Sequence, residues 1–210
     1  MMPMNEHARH PIVRATVDTP IGRMMMASDG ETLTELCLED WWWVASGAFQ
    51  GLDADDTDNA DAGNANTSDA DSGDSGDSDA AEVFRQTRAW LEAYFAGERP
   101  ELDAAPPLNP HGTPFQREVW DLVAEIPYGE TVSYGELAAE LAERRGGGRM
   151  AAQAVGGAVK RNPITIIVPC HRVVGAGRHF GGYGGRLDVK AELLEHEGVD
   201  LGRFDLHTVG

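Results

Sequence analysis

Cys170 and His171 stand side by side in the run VPCHRVVG, and a second histidine and carboxylate, His196 and Glu197, follow near the C-terminus. The chain has only two cysteines, Cys37 and Cys170. A disulfide framework is therefore excluded, and neither neighbourhood resembles paired metal ligands. A thiolate is a soft, strong nucleophile, yet a free thiol with a pKa of about 8.5 is only a few per cent ionised at neutral pH. A histidine to take the proton and a carboxylate to orient that histidine would raise the fraction, and Cys170, His171 and Glu197 can form such a relay. Adjacency alone does not make one. In a regular strand neighbouring side chains point to opposite faces, so a Cys–His pair needs a turn or a bridging water. A cysteine that follows an apolar strand is more often a small core residue, and Cys37, in the alternating stretch ELCLE, reads as one.

Hydrophobic periodicity indicates the elements that would carry these groups. Ile164 to Val168 reads as a buried apolar strand that delivers Pro169, Cys170 and His171 at its end. RHFGGYGGRLDVKAELLEHEG reads as a glycine-rich loop around Tyr183, then a helix that contains Lys190 and ends at His196, Glu197 and Gly198. Upstream, Thr113 and Pro114 start a helix, TPFQREVWDLVAEI, with Phe115, Val119, Leu122, Val123 and Ile126 on one side. Ser133 and Glu136 form a capping-box pattern ahead of a helix that runs to about Arg144. Gly146 to Gly148 break it, and a short second helix, RMAAQAVGGAVKR, follows. Two helices about a tight glycine turn fit a helix-turn-helix, whose second helix would enter a DNA groove. Plain helical hairpins are at least as common. Ala151, Ala152, Ala154, Gly156, Gly157 and Ala158 keep the second helix thin, either to admit a close partner or to pack on the next segment.

The first half reads differently. IVRATVDTPIGRMMMASDGETLTELCLED alternates as three strands with two turns, SDG being the sharper hairpin signal. The run Trp41 to Trp43 is expected to pack between segments rather than serve as a recognition platform. Gly51 to Ala81 is dense in Asp, Gly, Ser and Asn and is expected to be a disordered spacer; it lacks the ligand spacing of a calcium loop. Ala81 to Gly97 places Phe84, Thr87, Trp90, Leu91, Tyr94 and Phe95 at helical spacing, and the proline-rich ELDAAPPLNPHG is a connector.

The net charge of −18 argues against a nucleic-acid partner until its distribution is considered. Ten aspartates fall between Asp53 and Asp79, whereas Arg144, Arg145, Arg149, Lys160, Arg161, Arg172, Arg178 and Arg186 cluster in the second half. The dispersed acidity that remains suits a host with high internal salt. MMPMNEHARHPIVRATV lacks the apolar run of a signal peptide, and no window approaches the roughly 18 apolar residues of a membrane span. A cytoplasmic, non-membrane protein is expected.

Four ordered blocks, TPFQREVW, IPYGETVSYGELA, AVGGAVKRNP and VPCHRVVGAG, closed by GGYGGRLDVKAELLEHEG, make the chain similar to the O6-alkylguanine-DNA alkyltransferases, also called methylated-DNA–protein-cysteine methyltransferases. The resemblance is strong from about Gly112 to Val199, and TPIGRMMMASDGETLTELCLED matches the family's less specific first domain. It implies an α/β (α+β) fold: an RNase H-like β-rich domain over residues 1–100, a connector over 101–112, and an α-helical, winged-helix-like domain over 113–210 that carries the helix-turn-helix and the reactive site. It also implies a single-turnover transfer of an alkyl group, typically methyl, from O6-alkylguanine, and conceivably O4-alkylthymine, in double-stranded DNA to the protein's own cysteine. No cofactor and no metal are expected, the zinc-binding cysteines of some members having no counterparts. The protein is expected to act as a monomer.

By the same resemblance, Cys170 is the alkyl acceptor, His171 the general base acting through water, Glu197 the carboxylate that orients it, and Asn162 the brace of the turn that holds the thiol. Tyr134 would rotate the phosphate of the damaged nucleotide and protonate the departing guanine. Tyr183, Gly184 and Gly185 would line the guanine pocket with Lys190 near by, and the Val168 carbonyl would face the exocyclic amine of the base. DNA would be held by Ala152, Ala154 and Gly156 along the thin helix, with Arg144, Arg149, Lys160 and Arg161 on phosphates. One departure stands out: Gln153 occupies the place of the family's arginine, which fills the gap left by the flipped base. A non-catalytic lesion-binding relative would carry Trp in place of Cys170. A thiol hydrolase using Cys170, His171 and Glu197, and a helix-turn-helix regulator without chemistry, remain as alternatives; multiple turnover would mark the first, and indifference to Cys170→Ser the second.

Overall fold

A computed structural model describes residues 12–41, 76–177 and 179–205. Three strands, β1 (Val13–Thr19), β2 (Gly22–Ser28) and β3 (Leu33–Leu38), form an antiparallel sheet in that order. The first turn is tight, with Thr19 paired to Gly22. The second is closed by Asp29 Oδ1, which accepts the Thr32 amide at 2.8 Å, with Gly30 at φ 98° where a Cβ would be strained. Helix α1 (Gly76–Phe95) packs on the sheet, and its Phe84, Thr87, Leu91 and Tyr94 are all buried. It ends as the sequence predicts, at Gly97 (φ 79°), with Glu98 N–H donating to Ala93 O at 3.0 Å and Gly97 N–H to Tyr94 O at 3.0 Å.

One expectation for this half needs correction. The last six residues of the supposed spacer, 76–81, are helical, and Ala80 lies in the core, because small residues beside an apolar face extend α1 by more than a turn. Residues 51–75 of that spacer, and Trp42 and Trp43, lie outside the described residues. The connector packs against the sheet. Leu33 N–H donates to Pro107 O at 2.8 Å and Asn109 N–H to Leu33 O at 2.9 Å, so the chain runs along the edge of β3. A 3-10 turn, Leu102–Ala104, precedes the prolines, which exclude an α-helix but leave carbonyls able to accept from a sheet edge.

The second half begins with α2 (Pro114–Ala124), whose Thr113 and Gln116 form a capping box, and continues through β4 (Val132–Ser133) into α3 (Tyr134–Arg144), capped likewise by Ser133 and Glu136. Three glycines at positive φ, Gly146 to Gly148, lead to α4 (Ala152–Lys160). Helices α3 and α4 pack on each other and on α2, and buried Trp120 donates from Nε1 to Ala158 O at 2.9 Å. After β5 (Val173–Val174), α5 (Leu187–His196) closes the fold. Strands β4 and β5 pair in parallel, Ser133 opposite Val174, which sets the first residue of α3, Tyr134, beside the segment that follows Cys170. One hydrophobic core runs through both halves, from Met24, Leu36 and Tyr94 to Trp120, Val155, Cys170 and Leu193.

Candidate active site

Residues Ile164 to Val168 do not form the predicted strand. Leu36 of β3 pairs with this segment in an isolated bridge, donating to Pro163 O at 2.8 Å and accepting from Thr165 N–H at 2.7 Å; the chain then turns back on itself, with Val168 N–H donating to Ile164 O at 3.1 Å. The turn places Ile166 at φ 72°, a conformation that a β-branched residue avoids and that surrounding structure must impose. Asn162 imposes it. Its Oδ1 accepts Ile164 N–H at 3.0 Å and its Nδ2 donates to Val168 O at 2.8 Å, a local geometry that apolar periodicity cannot encode. Cys170 opens a 3-10 turn, Cys170–Arg172, rather than ending a strand, so it and His171 are not fixed on opposite faces.

Cys170, 7% exposed, lines a cavity of about 750 Å³. Its Sγ lies 4.0 Å from Tyr183 Oη. Tyr134, Asn162, Tyr183, Gly184, Gly185, Ala152, Gln153, Gly156 and Lys160 line the same cavity. Gly156 sits where a Cβ would lie 3.6 Å from the Tyr134 ring, an ordinary contact that leaves no room for a larger side chain on that side. Sequence reasoning missed Cys37 and Thr165 in this wall. They arrive from β3 and from the turn it pairs with, a long-range contact without a local signal. Burial pushes the Cys37 thiol up to about 12, which leaves it inert.

His171 and Glu197 lie behind the cysteine, both buried. His171 Nε2 is 2.8 Å from Glu197 Oε1. The same carboxylate accepts Arg172 Nε–H on Oε2 at 2.9 Å and Nη2–H on Oε1 at 2.9 Å, Tyr94 Oη–H on Oε1 at 2.8 Å, and Gly129 N–H on Oε2 at 3.1 Å. Burial works to raise the pKa of Glu197, but the hydrogen bonds and charges of His171 and Arg172 hold it well below the usual carboxylate range. An ionised carboxylate can only accept, so Nε2 of His171 carries the proton and Nδ1 is left as a bare acceptor. Nδ1 is buried and has no hydrogen-bond partner among the described residues. Burial also lowers the His171 pKa, which keeps the ring neutral. Sequence reasoning gave Tyr94 only a helix position, Arg172 only a place in the basic cluster, and Gly129 nothing; Arg172, next to His171, had the one local clue to a part in the site.

For the thiol, burial raises the pKa of Cys170, while Asn162, Tyr183 and the charge of Lys190 pull it down. The thiol is therefore protonated at rest, and a base that removes its proton during reaction is required. Tyr134 and Tyr183 are pushed up by burial and by Cys170, so both stay protonated and able to donate.

Several expected site residues sit elsewhere. Lys190 does not line the cavity: fully buried, its Nζ donates to Val173 O and Phe180 O, each at 2.7 Å, and tethers the glycine-rich loop to α5. Burial lowers its pKa to about 8. The Val168 carbonyl does not face the cavity as a free acceptor, because Asn162 Nδ2–H and Cys170 N–H, both at 2.8 Å, use its two lone pairs. Arg144 is exposed and ion-paired with Glu125 and Glu140. Ala154, Arg149 and Arg161 are exposed outside the cavity wall, and Arg178 lies outside the described residues. No helix among the described residues is long and apolar enough to cross a membrane.

The sequence of this chain matches two family models: residues 12–108 match "6-O-methylguanine DNA methyltransferase, ribonuclease-like domain", and residues 114–199 match "6-O-methylguanine DNA methyltransferase, DNA binding domain". It is 51% identical over 117 residues to a methylated-DNA–protein-cysteine methyltransferase of Methanosarcina acetivorans, covering 56% of this chain and 70% of that protein. It is 35% identical over 181 residues to the protein of the same name from Haemophilus influenzae, covering 86% and 83%. Among solved structures, the Mycobacterium tuberculosis OGT in complex with DNA superposes with a TM-score of 0.61 at 36% identity, covering 92% of this chain and 95% of that one.

Proposed function

The chain belongs to the 6-O-methylguanine DNA methyltransferase family, and from that premise we propose that Cys170 is the alkyl acceptor in its chemistry: the thiolate takes the alkyl group from O6-alkylguanine and keeps it. The protein is a DNA repair methyltransferase whose partner is DNA. In the displacement, a bond forms between Sγ and the alkyl carbon while the carbon–O6 bond breaks, and the electron pair goes to guanine. The thiol proton passes through a water to His171 Nδ1, the bare acceptor that Glu197 creates by holding Nε2–H; this is the observation that carries the assignment. Tyr134 supplies the proton that improves the leaving group. A thioether has no low-barrier hydrolytic exit, so each molecule acts once.

O6 lies inside a duplex, so the base must leave the stack, at a cost of a few kcal/mol that a damaged pair lowers. Helix α4 lies along the minor groove, its Ala152, Ala154 and Gly156 allowing close approach. Gln153, in the cavity wall, enters the gap left by the base, and Arg149, Lys160 and Arg161 meet phosphates. Tyr183, Gly184 and Gly185 enclose the guanine. Residues 1–100 and 113–210 act as two units joined by 101–112, in a cytoplasmic monomer without cofactor.

Incubation with an oligonucleotide that holds one O6-methylguanine, followed by mass analysis of the peptide containing Cys170, tests the reading. One added methylene, absent in Cys170→Ser, with product that plateaus at one equivalent, is the expected result. Continuing turnover, or a modification on another residue, overturns it.

A further inference from the structure

Glu197 Oε1 is where the relay meets the first half of the chain. The oxygen that holds His171 Nε2–H at 2.8 Å also accepts Tyr94 Oη–H at 2.8 Å and Arg172 Nη2–H at 2.9 Å. Tyr94 comes from α1, far in sequence from Cys170, and is 1% exposed. Its ring is stacked on Trp90 at 5.6 Å and meets Phe95 and Tyr128 edge-on at 5.1 and 6.0 Å, and its carbonyl accepts His196 Nε2–H at 2.7 Å. The hydroxyl is therefore held in place from several sides.

We propose that Tyr94 is a positioning residue that sets the proton affinity of His171 from the other half of the molecule, by drawing on the same carboxylate oxygen that orients the imidazole. A hydrogen bond donated to a carboxylate stabilises its charge and weakens what that oxygen offers a second donor. Tyr94 thus keeps His171 less basic than Glu197 alone would make it, neutral at rest and with Nδ1 open. Orientation of the carboxylate does not depend on it, since Arg172 grips both oxygens and Gly129 N–H holds Oε2. The other groups that face this pair are Lys190 from α5, whose charge disfavours the imidazolium; His196; and Tyr128, over which Arg99 and Arg172 lie. Of these, Tyr94 and Arg172 are the side chains that share Oε1 with His171.

The proposal rests on His171 as the base of the transfer, and Tyr94→Phe tests it with a readout independent of activity. The variant keeps the ring and its stacking. With the competing donor gone, the Nε2 proton resonance of His171 moves downfield as its bond to Oε1 strengthens. The rate constant of transfer on its neutral-pH plateau rises roughly two- to tenfold, the equivalent of up to about one pKa unit at His171. In Tyr128→Phe, whose hydroxyl donates to His196 O rather than to Glu197, the resonance stays put. An unmoved resonance in Tyr94→Phe, or a rate lowered by one factor at every pH, overturns the proposal. If the wild-type protein fails to alkylate Cys170 the repair reading falls, while the resonance still decides the role of Tyr94.

Discussion

Cys170 is an acid that burial keeps protonated, and its reactivity must come from neighbours that act only when the proton leaves. Glu197→Gln removes the charge that orients His171 and leaves Arg172 buried with a weakened partner. Transfer is expected to slow by roughly 10²- to 10⁴-fold, the usual contribution of an acid–base relay, in single-turnover kinetics. Gln153 is the other residue with a sharp expectation. Arginine there adds a charge and a stacking plane, so Gln153→Arg should speed repair by roughly two- to fivefold, whereas Arg149→Ala should slow it. Unchanged rates in both proteins would mean that filling the gap in the DNA is irrelevant to this chain.

Among the elements, α3 and α4 position the cavity wall through their ends. Ser133 caps α3 directly ahead of Tyr134, so Ser133→Ala should lower stability by about 1 kcal/mol and the thermal midpoint by roughly 2–4 °C. Helix α4 has no side-chain cap at Ala151, and its exposed first turn leaves backbone N–H groups for an anionic partner. Its other face is fitted to Tyr134. Gly156→Val, with a branch pointing at a ring that a bare Cβ already meets at 3.6 Å, should displace Tyr134 and reduce transfer while circular dichroism remains unchanged. Equal activity of that variant would show that the approach of Tyr134 to α4 is incidental.

At the scale of the molecule, one core joins the halves, so the buried ion cluster around Glu197 bears on global stability. His171 has its pKa lowered by burial from 6.5, and Glu197, despite burial, is held below 4.5 by His171 and Arg172. Both groups bind a proton in the unfolded chain before they do in the folded one. The contribution of these two groups to stability is therefore complete above about pH 6.5, begins to fall below it as His171 is protonated in the unfolded state, and falls more steeply below about 4.5. A thermal midpoint followed from neutral pH downward should show both slopes, the lower one flattened in Glu197→Gln. The net charge of −18 predicts in addition that the midpoint rises with KCl, as screening relieves self-repulsion. A midpoint that falls with KCl would remove the case for adaptation to high salt.

What sequence alone determined were features with a short-range physical code. Alternation marked β1 to β3, 3.6-residue periodicity behind Thr113 and Pro114 marked α2, the Ser133/Glu136 box marked α3, and Gly97 marked the end of α1; the PCHRV run and its flanking blocks pointed to the family and singled out Cys170, His171 and Glu197 as candidates. Tertiary structure decided what depends on side chains far apart in the chain. Ile164 to Val168 has the composition of a strand, yet Asn162 and the edge of β3 fold it into a strained turn. Lys190 reads as a pocket residue, yet two backbone carbonyls claim its ammonium group. Tyr94 reads as one more apolar position on α1, and only the packing of α1 against the second half reveals that its hydroxyl shares an oxygen with His171. Hydrogen bonds of that kind satisfy buried polar atoms wherever folding brings them together, and no local pattern records the partner.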